Sequence, residues 1–352
     1  MLELIKNFFN AKPGYRDSFS YSQLNTFNNC PYQYKLIYND GIRKDKESIE
    51  AYMGKRVHDV MEWLYNSKNK KQNWITFDKI CEEYNRLWIK KWHKHIYIFR
   101  KNYDSNHYYS LGKECLSNYY QKYGPTFDQI VEGVELELSF KVDEYKFKGI
   151  IDRLDHPAPR KWIIHDYKTG VLKTQKQAEN DMQLALYQMA VEQNFGDALD
   201  IKLKWHFMKN GSEVTLSHSK KHLDKVKDKI IKNVEKIRCC NDESKLEDIK
   251  VGDLVLLNEN IKSTAFVSFK SRNQKSIGIK KNNLLTVQKK AKNKIIVENN
   301  EKQAWAVSNS QVSNKFIPKE TKFCNWCYYW NECPVKFSRN PSGNAKLIKS
   351  KA

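Results

Sequence analysis

The stretch Gly149–Gly170, GIIDRLDHPAPRKWIIHDYKTG, carries Asp152 and Asp155 before a proline-rich turn and Asp166 after it. Residues 145–155 read as one strand, HPAPRK as a turn, and 162–170 as a second strand ending at Gly170. A hairpin centred near Pro157–Ala158–Pro159 brings Asp152 almost opposite His165–Asp166. Asp166 and Lys168 are two apart and so project from one face of their strand. Ile150 and Ile151 flank the first aspartate, and Trp162, Ile163 and Ile164 precede the second. Carboxylates set so close to a core are costly unless they pair or bind a cation. Oxygen ligands of this kind suit Mg²⁺ or Mn²⁺, which polarise a phosphodiester and lower the pKa of a bound water. A neighbouring lysine stabilises developing charge. Taken bare, the pattern fits equally well a surface hairpin with ordinary Asp166–Lys168 and Asp152–Arg153 ion pairs.

Working outward, VEGVELELSFKV (131–142) alternates at period two and predicts a further strand. Residues 178–195 predict an amphipathic helix, 203–211 a strand, and 218–240 a long basic helix. Helical periodicity fills most of 48–123, and 18–38 reads as a helix opening at a Ser cap and broken at Pro31. The fold class expected is α/β, a mixed sheet flanked by helices. The expected organisation is a helical region over 15–130, an α/β core over 131–245, a basic β-rich insertion over 251–315, a cysteine-bearing segment over 316–337 and a disordered basic tail over 338–352. Within the insertion, VGDLVLLNEN, STAFVSFKS, KIIVEN and QAWAVSNS read as short strands.

The chain has 62 Lys and Arg against 41 Asp and Glu, a net charge of +21. That balance suits a polyanion such as nucleic acid, though a lysine-rich solvated surface has the same composition. No run of eighteen apolar residues predicts a membrane span, and the opening residues lack a signal-peptide pattern. A cytoplasmic protein is the expectation. No G-x-x-x-x-G-K-[ST] loop is present, so no motor of its own is expected. Of eight cysteines, Cys81, Cys115, Cys239 and Cys240 lie in helical surroundings and read as buried or incidental. Cys30, Cys324, Cys327 and Cys333 remain, the last three in CNWCYYWNECP.

Two helical pieces add polar residues. His58 and Glu62 in GKRVHDVMEWLY are four apart, as are Gln183 and Tyr187 in DMQLALYQMA. Either pair alone is ordinary helix surface or packing.

Together these pieces resemble the PD-(D/E)XK nuclease superfamily, in particular its RecB-like branch with a C-terminal iron–sulfur cluster. That branch includes helicase–nuclease nuclease domains and CRISPR-associated cluster-bearing exonucleases. GKRVH resembles its first motif, GIIDRLD the second, DYKTG the third and QLALY the Q-x-x-x-Y fourth. The resemblance implies a restriction-endonuclease-like core in which His58, Asp152, Asp166 and the carbonyl of Tyr167 hold Mg²⁺ or Mn²⁺. It implies Lys168 as the catalytic lysine, and Gln183 and Tyr187 as residues that contact DNA or orient the site. It further implies that Cys30, in its CP context, joins Cys324, Cys327 and Cys333 around a [4Fe–4S] cluster. By spacing alone a closed Cys₄ zinc site is the chemical alternative. The activity implied is DNA cleavage, favouring exonuclease action on single-stranded or end-resected DNA, alone or beside a separate helicase or recombination protein. A non-catalytic iron–sulfur DNA-binding or assembly protein and an RNA-acting nuclease are the other readings. The insertion over 251–315 departs from the family pattern and leaves substrate handling open.

Overall fold

A computed structural model describes residues 18–66, 74–100, 102–196, 198, 200–242, 248–261, 278–292 and 294–335. The expected strand STAFVSFKS and the tail 338–352 lie outside them. The chain opens with β1 (Ser18–Phe19), α1 (Tyr21–Asn29), α2 (Pro31–Tyr34) and a π-turn over Lys35–Asn39. Next come β2 (Glu47–Ser48), α3 (Ile49–Tyr65), α4 (Phe77–Lys91), β3 (Ile96–Tyr97) and α5 (Ser105–Tyr123). The core then runs β4 (Val131–Val142), β5 (Tyr145–Ala158), β6 (Lys161–Lys168), α6 (Gln175–Glu179), α7 (Met182–Asn194), β7 (Asp200–Phe207), β8 (Ser212–Leu216) and α8 (Lys220–Asn241). Short strands follow: β9 (Leu254–Leu257), β10 (Leu284–Lys290), β11 (Lys294–Glu298), β12 (Ala304–Ser308) and β13 (Val312–Ser313).

The chain divides into two compact units. One holds Asp17–Ser22 and Asp45–Lys232, and the other Gln23–Lys44 and Asn233–Gly343.

The first unit is built on a six-stranded mixed sheet in the order β1-β5-β6-β7-β8, with β4 also paired to β5. The α/β class expected from the sequence is therefore the one observed. The β5–β6 hairpin turns one position later than expected, at Pro159–Arg160, where Arg160 takes a left-handed φ of 65°. An irregularity between Asp155 and Ala158 absorbs the shift. Pairing of Arg153 with His165 then sets Asp152 opposite Asp166 at the next position. β6 runs parallel to β7, with Asp166 beside Trp205.

Helix α3 starts where Ser48 accepts a hydrogen bond from the Ala51 N–H. It buries Ile49, Met53, Val57, Val60, Met61 and Leu64, an i, i+3/i+4 stripe. That stripe packs with α4 and α5 around Tyr84, Trp88, Cys115 and Leu116. Each fully buried aliphatic side chain contributes roughly 1.5–3 kcal/mol. Two local features differ from expectation. Ser18–Phe19 is a strand, not a helix cap, because it pairs parallel to β5 and packs Phe19 on Phe147 at 5.8 Å between ring centroids. Strand β8, SEVTL, was not singled out in the sequence and forms by pairing back on β7 after a turn at Gly211, φ 67°.

The second unit contains a five-stranded antiparallel sheet in the order β12-β11-β10-β9-β13. Its core comprises alternate residues of these strands, among them Val255, Leu257, Leu285, Val287, Ile295, Val297, Trp305 and Val307. Leu256, of opposite parity, packs with Tyr32, Leu36 and Tyr329. The predicted break near Pro31 is present: Cys30 is extended (φ −157°, ψ 105°) and Pro31 starts α2.

Candidate active site and cysteine pocket

The candidate active site lies wholly in the first unit, where α3 meets β4, the middle of β5 and the end of β6. Gly54 opens GKRVH for a steric reason. A Cβ there would stand 2.9 Å from Thr169 Oγ1, so glycine lets α3 approach the end of β6 without displacing the Thr169 hydroxyl. One helical turn on, His58 sets Nε2 2.8 Å from the Tyr167 carbonyl and Nδ1 3.6 Å from Asp152 Oδ2. The backbone N–H of Tyr167 donates to the same Asp152 oxygen at 2.8 Å.

Asp152 is held below the ordinary carboxylate range. Burial works to raise it, but His58, the Tyr167 N–H and Lys168 outweigh that effect. His58 mirrors it: burial disfavours the imidazolium, yet Asp152 and then Asp166 push it up to about 9. Asp166 is raised, chiefly by burial and then by Asp152, against the pull of Lys168. Lys168 is raised as well, because its contact with Asp166 overcomes desolvation.

The Lys168 ammonium lies 2.6 Å from Asp166 Oδ2 and donates to Gln183 Oε1 at 2.9 Å. Gln183 Nε2 in turn donates to the Tyr187 hydroxyl at 2.9 Å. Helix α7 presents Gln183 and Tyr187 one turn apart because Asp181 caps it, accepting from the Gln183 N–H at 2.8 Å. All of His58, Asp152, Asp166, Tyr167, Lys168, Gln183 and Tyr187 are thus gathered at one place.

Glu135 was not singled out in the sequence. Ligand atoms of His58, Glu135 and Asp152 all lie within 4.8 Å of one another, a spacing one cation can bridge. Asp166, engaged by Lys168, stands beside this trio. Glu135 adopts a left-handed φ of 45°, and burial followed by repulsion from Asp152 pushes it up to about 7. The β4–β5 pairing, Val134 with Arg153 and Leu136 with Ile151, sets it across from Asp152. An acidic residue in VEGVELEL facing an acidic strand was the available signal. An imidazole nitrogen and two carboxylates form a donor set that fits Mn²⁺ or Mg²⁺.

The reverse of the strands carries a buried polar network. Arg153 does not pair with Asp152, as the bare hairpin reading would have it. It binds Asp155 at 2.9 Å, donates to the hydroxyls of Tyr119 and Tyr167 at 2.8 and 3.0 Å, and stacks on the Tyr65 ring. His165 and His206 meet at 2.8 Å, and His206 Nδ1 lies 2.9 Å from Glu213. This network braces the strands that bear Asp152 and Asp166.

In the second unit, Cys30, Cys324, Cys327 and Cys333 line one pocket with Gln33, Lys319 and Trp330. None of the four is joined in a disulfide. A Thr321 capping box sets the turn of Cys324, whose carbonyl accepts the Cys327 N–H at 3.2 Å. Burial, then the neighbouring thiols, pushes Cys327 up to about 12. Burial also raises Cys30, opposed by backbone N–H groups of Lys319, Gln33 and Tyr32 aimed at its sulfur. Cys115 is buried in the first unit, and Cys81, Cys239 and Cys240 take no part in the pocket.

No curated protein matches the chain. Among solved structures, a protein from Eubacterium rectale provisionally named an exonuclease overlays with a TM-score of 0.41 at 15% identity, covering 63% of this chain and 80% of that one. A model of the PD-(D/E)XK nuclease superfamily matches residues 18–334, a span that includes every motif described above. The chain belongs to the PD-(D/E)XK nuclease superfamily, and its class of chemistry is that of a metal-dependent phosphodiesterase.

Proposed function

We propose that the chain is a Mg²⁺- or Mn²⁺-dependent deoxyribonuclease of the RecB-like branch, acting as an exonuclease on single-stranded or end-resected DNA. The observation that carries this reading is the placement of the Lys168 ammonium 2.6 Å from Asp166, beside the His58, Glu135 and Asp152 trio. His58, Glu135 and Asp152 would hold the cation, with Asp166 and the Tyr167 carbonyl beside them. When bound, the cation supplies Lewis-acid polarisation of the phosphodiester and a lower pKa for the attacking water. Lys168 keeps its proton and offers a fixed positive charge to the phosphorane-like transition state. Gln183, supported by Tyr187, holds that ammonium in register.

The net charge of +21 favours a polyanionic substrate and salt-dependent binding. Among the described residues no helix is long and apolar enough to cross a membrane. Cys30, Cys324, Cys327 and Cys333 would hold a [4Fe–4S] cluster. Its role is that of a staple, tying the C-terminal segment to α1 and closing a long loop of chain. A separate helicase or recombination protein would present the DNA end.

The test is incubation of cluster-loaded protein with end-labelled single- and double-stranded DNA, and with RNA of the same sequence, plus Mg²⁺ or Mn²⁺. Stepwise shortening of DNA by wild type and none by Asp166→Ala is the expected result. Equal behaviour of the two proteins would sink the catalytic reading, and preferential RNA cleavage would replace the substrate.

A further inference from the structure

Trp205 of β7 is fully buried, yet its indole Nε1 has no hydrogen-bond partner. A buried tryptophan N–H normally finds an acceptor, and leaving it unpaired is costly. An apolar side chain of similar size would avoid that penalty. What indole offers instead is the most electron-rich ring face among the side chains. Two ammonium groups sit over that face: Lys173 Nζ at 4.5 Å and Lys168 Nζ at 5.8 Å from the ring centroid.

The first of these cations is itself tied down. Lys173 pairs with Asp181 Oδ2 at 2.9 Å. The other oxygen of Asp181 caps α7 at the Gln183 N–H, 2.8 Å away. Gln183 Oε1 accepts from Lys168 Nζ at 2.9 Å. Lys168, Gln183, Asp181, Lys173 and Trp205 therefore form a closed ring of contacts around one ammonium.

We propose that Trp205, Lys173 and Asp181 are positioning residues that hold Lys168 in place when Asp166 is shared with a cation. This rests on the nuclease reading above. Asp166 is the nearest partner of Lys168, at 2.6 Å. A carboxylate drawn toward a cation grips the ammonium less, and the lysine then depends on Gln183 and the ring. Trp205 also neighbours Asp166 across the β6–β7 pairing, so one residue sits beneath both members of the pair. Lys173 and Asp181 keep α7 in register, so that Gln183 stays within reach.

The test uses the full chain with Trp205→Phe, Trp205→Leu and Lys173→Met. Two readouts are taken: labelling of Lys168 by an amine-reactive reagent, followed by mass spectrometry, and kcat and KM on DNA. Trp205→Leu should label Lys168 several-fold faster and lose about tenfold in kcat with KM nearly constant. Trp205→Phe, which keeps an aromatic face, should restore most of both. Lys173→Met changes a half-exposed side chain and should raise Lys168 labelling without unfolding the protein. Wild-type labelling rates in both Trp205→Leu and Lys173→Met overturn the proposal, as does equal impairment of the Phe and Leu variants. If Trp205→Leu fails to fold, Lys173→Met decides alone. Labelling needs no activity, so altered labelling in a protein that cleaves no DNA upholds the clamp while the nuclease reading fails.

Discussion

The backbone N–H of Tyr167 donates to Asp152 Oδ2 at 2.8 Å, so the aspartate of one strand is anchored by the backbone of the next. The same peptide turns its carbonyl toward His58. Tyr167 thereby connects all three early motifs through main-chain atoms, links that any residue with a backbone N–H could make. Its own ring points to the reverse face, where the hydroxyl accepts from Arg153.

Two substitutions at Asp152 should separate structure from chemistry. Asp152→Asn retains an acceptor for the Tyr167 N–H and should unfold near the wild-type urea midpoint. Asp152→Ala orphans that buried N–H and should lose about 1–3 kcal/mol. Both should lose Mn²⁺ binding, followed by calorimetric titration. Equal stability of the two variants would show that the hydrogen bond carries no weight.

Glu135 should behave as a ligand. Glu135→Gln is expected to weaken Mn²⁺ binding by at least roughly 10–100-fold, the range seen even for indirect contributors to metal sites. Glu137→Gln, on the same strand but exposed and paired with Lys148, should leave binding unchanged. Similar affinities for the two variants would remove Glu135 from the site.

Gln183→Ala takes away the Lys168 acceptor on α7. A hydrogen bond to a charged group contributes about 1.5–3 kcal/mol, so kcat should fall roughly 10–100-fold. Tyr187→Phe removes only the hydroxyl that supports Gln183 and should cost less. Steady-state kinetics in which Tyr187→Phe is the more damaged enzyme would contradict the chain of contacts running from Tyr187 through Gln183 to Lys168.

Anaerobically purified protein should be brown, with broad visible absorption and close to four irons per chain. Cys30→Ser should bleach that absorption as thoroughly as Cys327→Ser, although the two residues lie in distant parts of the sequence. Colourless wild-type protein with one zinc per chain would identify a tetrahedral zinc staple in its place.

Acid should destabilise the first unit through its buried histidines. Burial first, then Arg153 and Lys204, against Glu213, lowers His206 from 6.5 to about 4. Between those values the unfolded chain binds more protons, so stability rises with pH across the window and this contribution is gone below it. The shift corresponds to about 3 kcal/mol, and His165, held well below its usual value by burial and Arg153, acts in the same direction. Urea midpoints measured from pH 4 to 6.5 should climb steeply in wild type and less so in His206→Asn. Parallel slopes would mean that His206 is not buried as a neutral ring.

Much of this protein is legible locally. Strand β4 was predicted over its observed span, 131–142, because apolar residues alternating over that length leave little choice of period. The hairpin displaced its turn by one position, since two prolines offer competing centres and only the pairing with β6 selects between them. Strands β1 and β8 were not legible. Each is short, SF and SEVTL, with too few apolar residues to define a period, and each exists because a neighbouring strand offers an edge.

By itself the sequence determined the catalytic vocabulary: two aspartates and a lysine at strand spacing, a histidine and a Q-x-x-x-Y pair at helix spacing, and four cysteines in family context. Residue type and period are local properties, so a single chain displays them. The tertiary structure decided which groups touch. It brought Glu135 to Asp152 and set Trp205 under Lys168. Those contacts depend on strand register and helix docking, where a one-residue slip turns a side chain to the opposite face, and no local pattern encodes that choice.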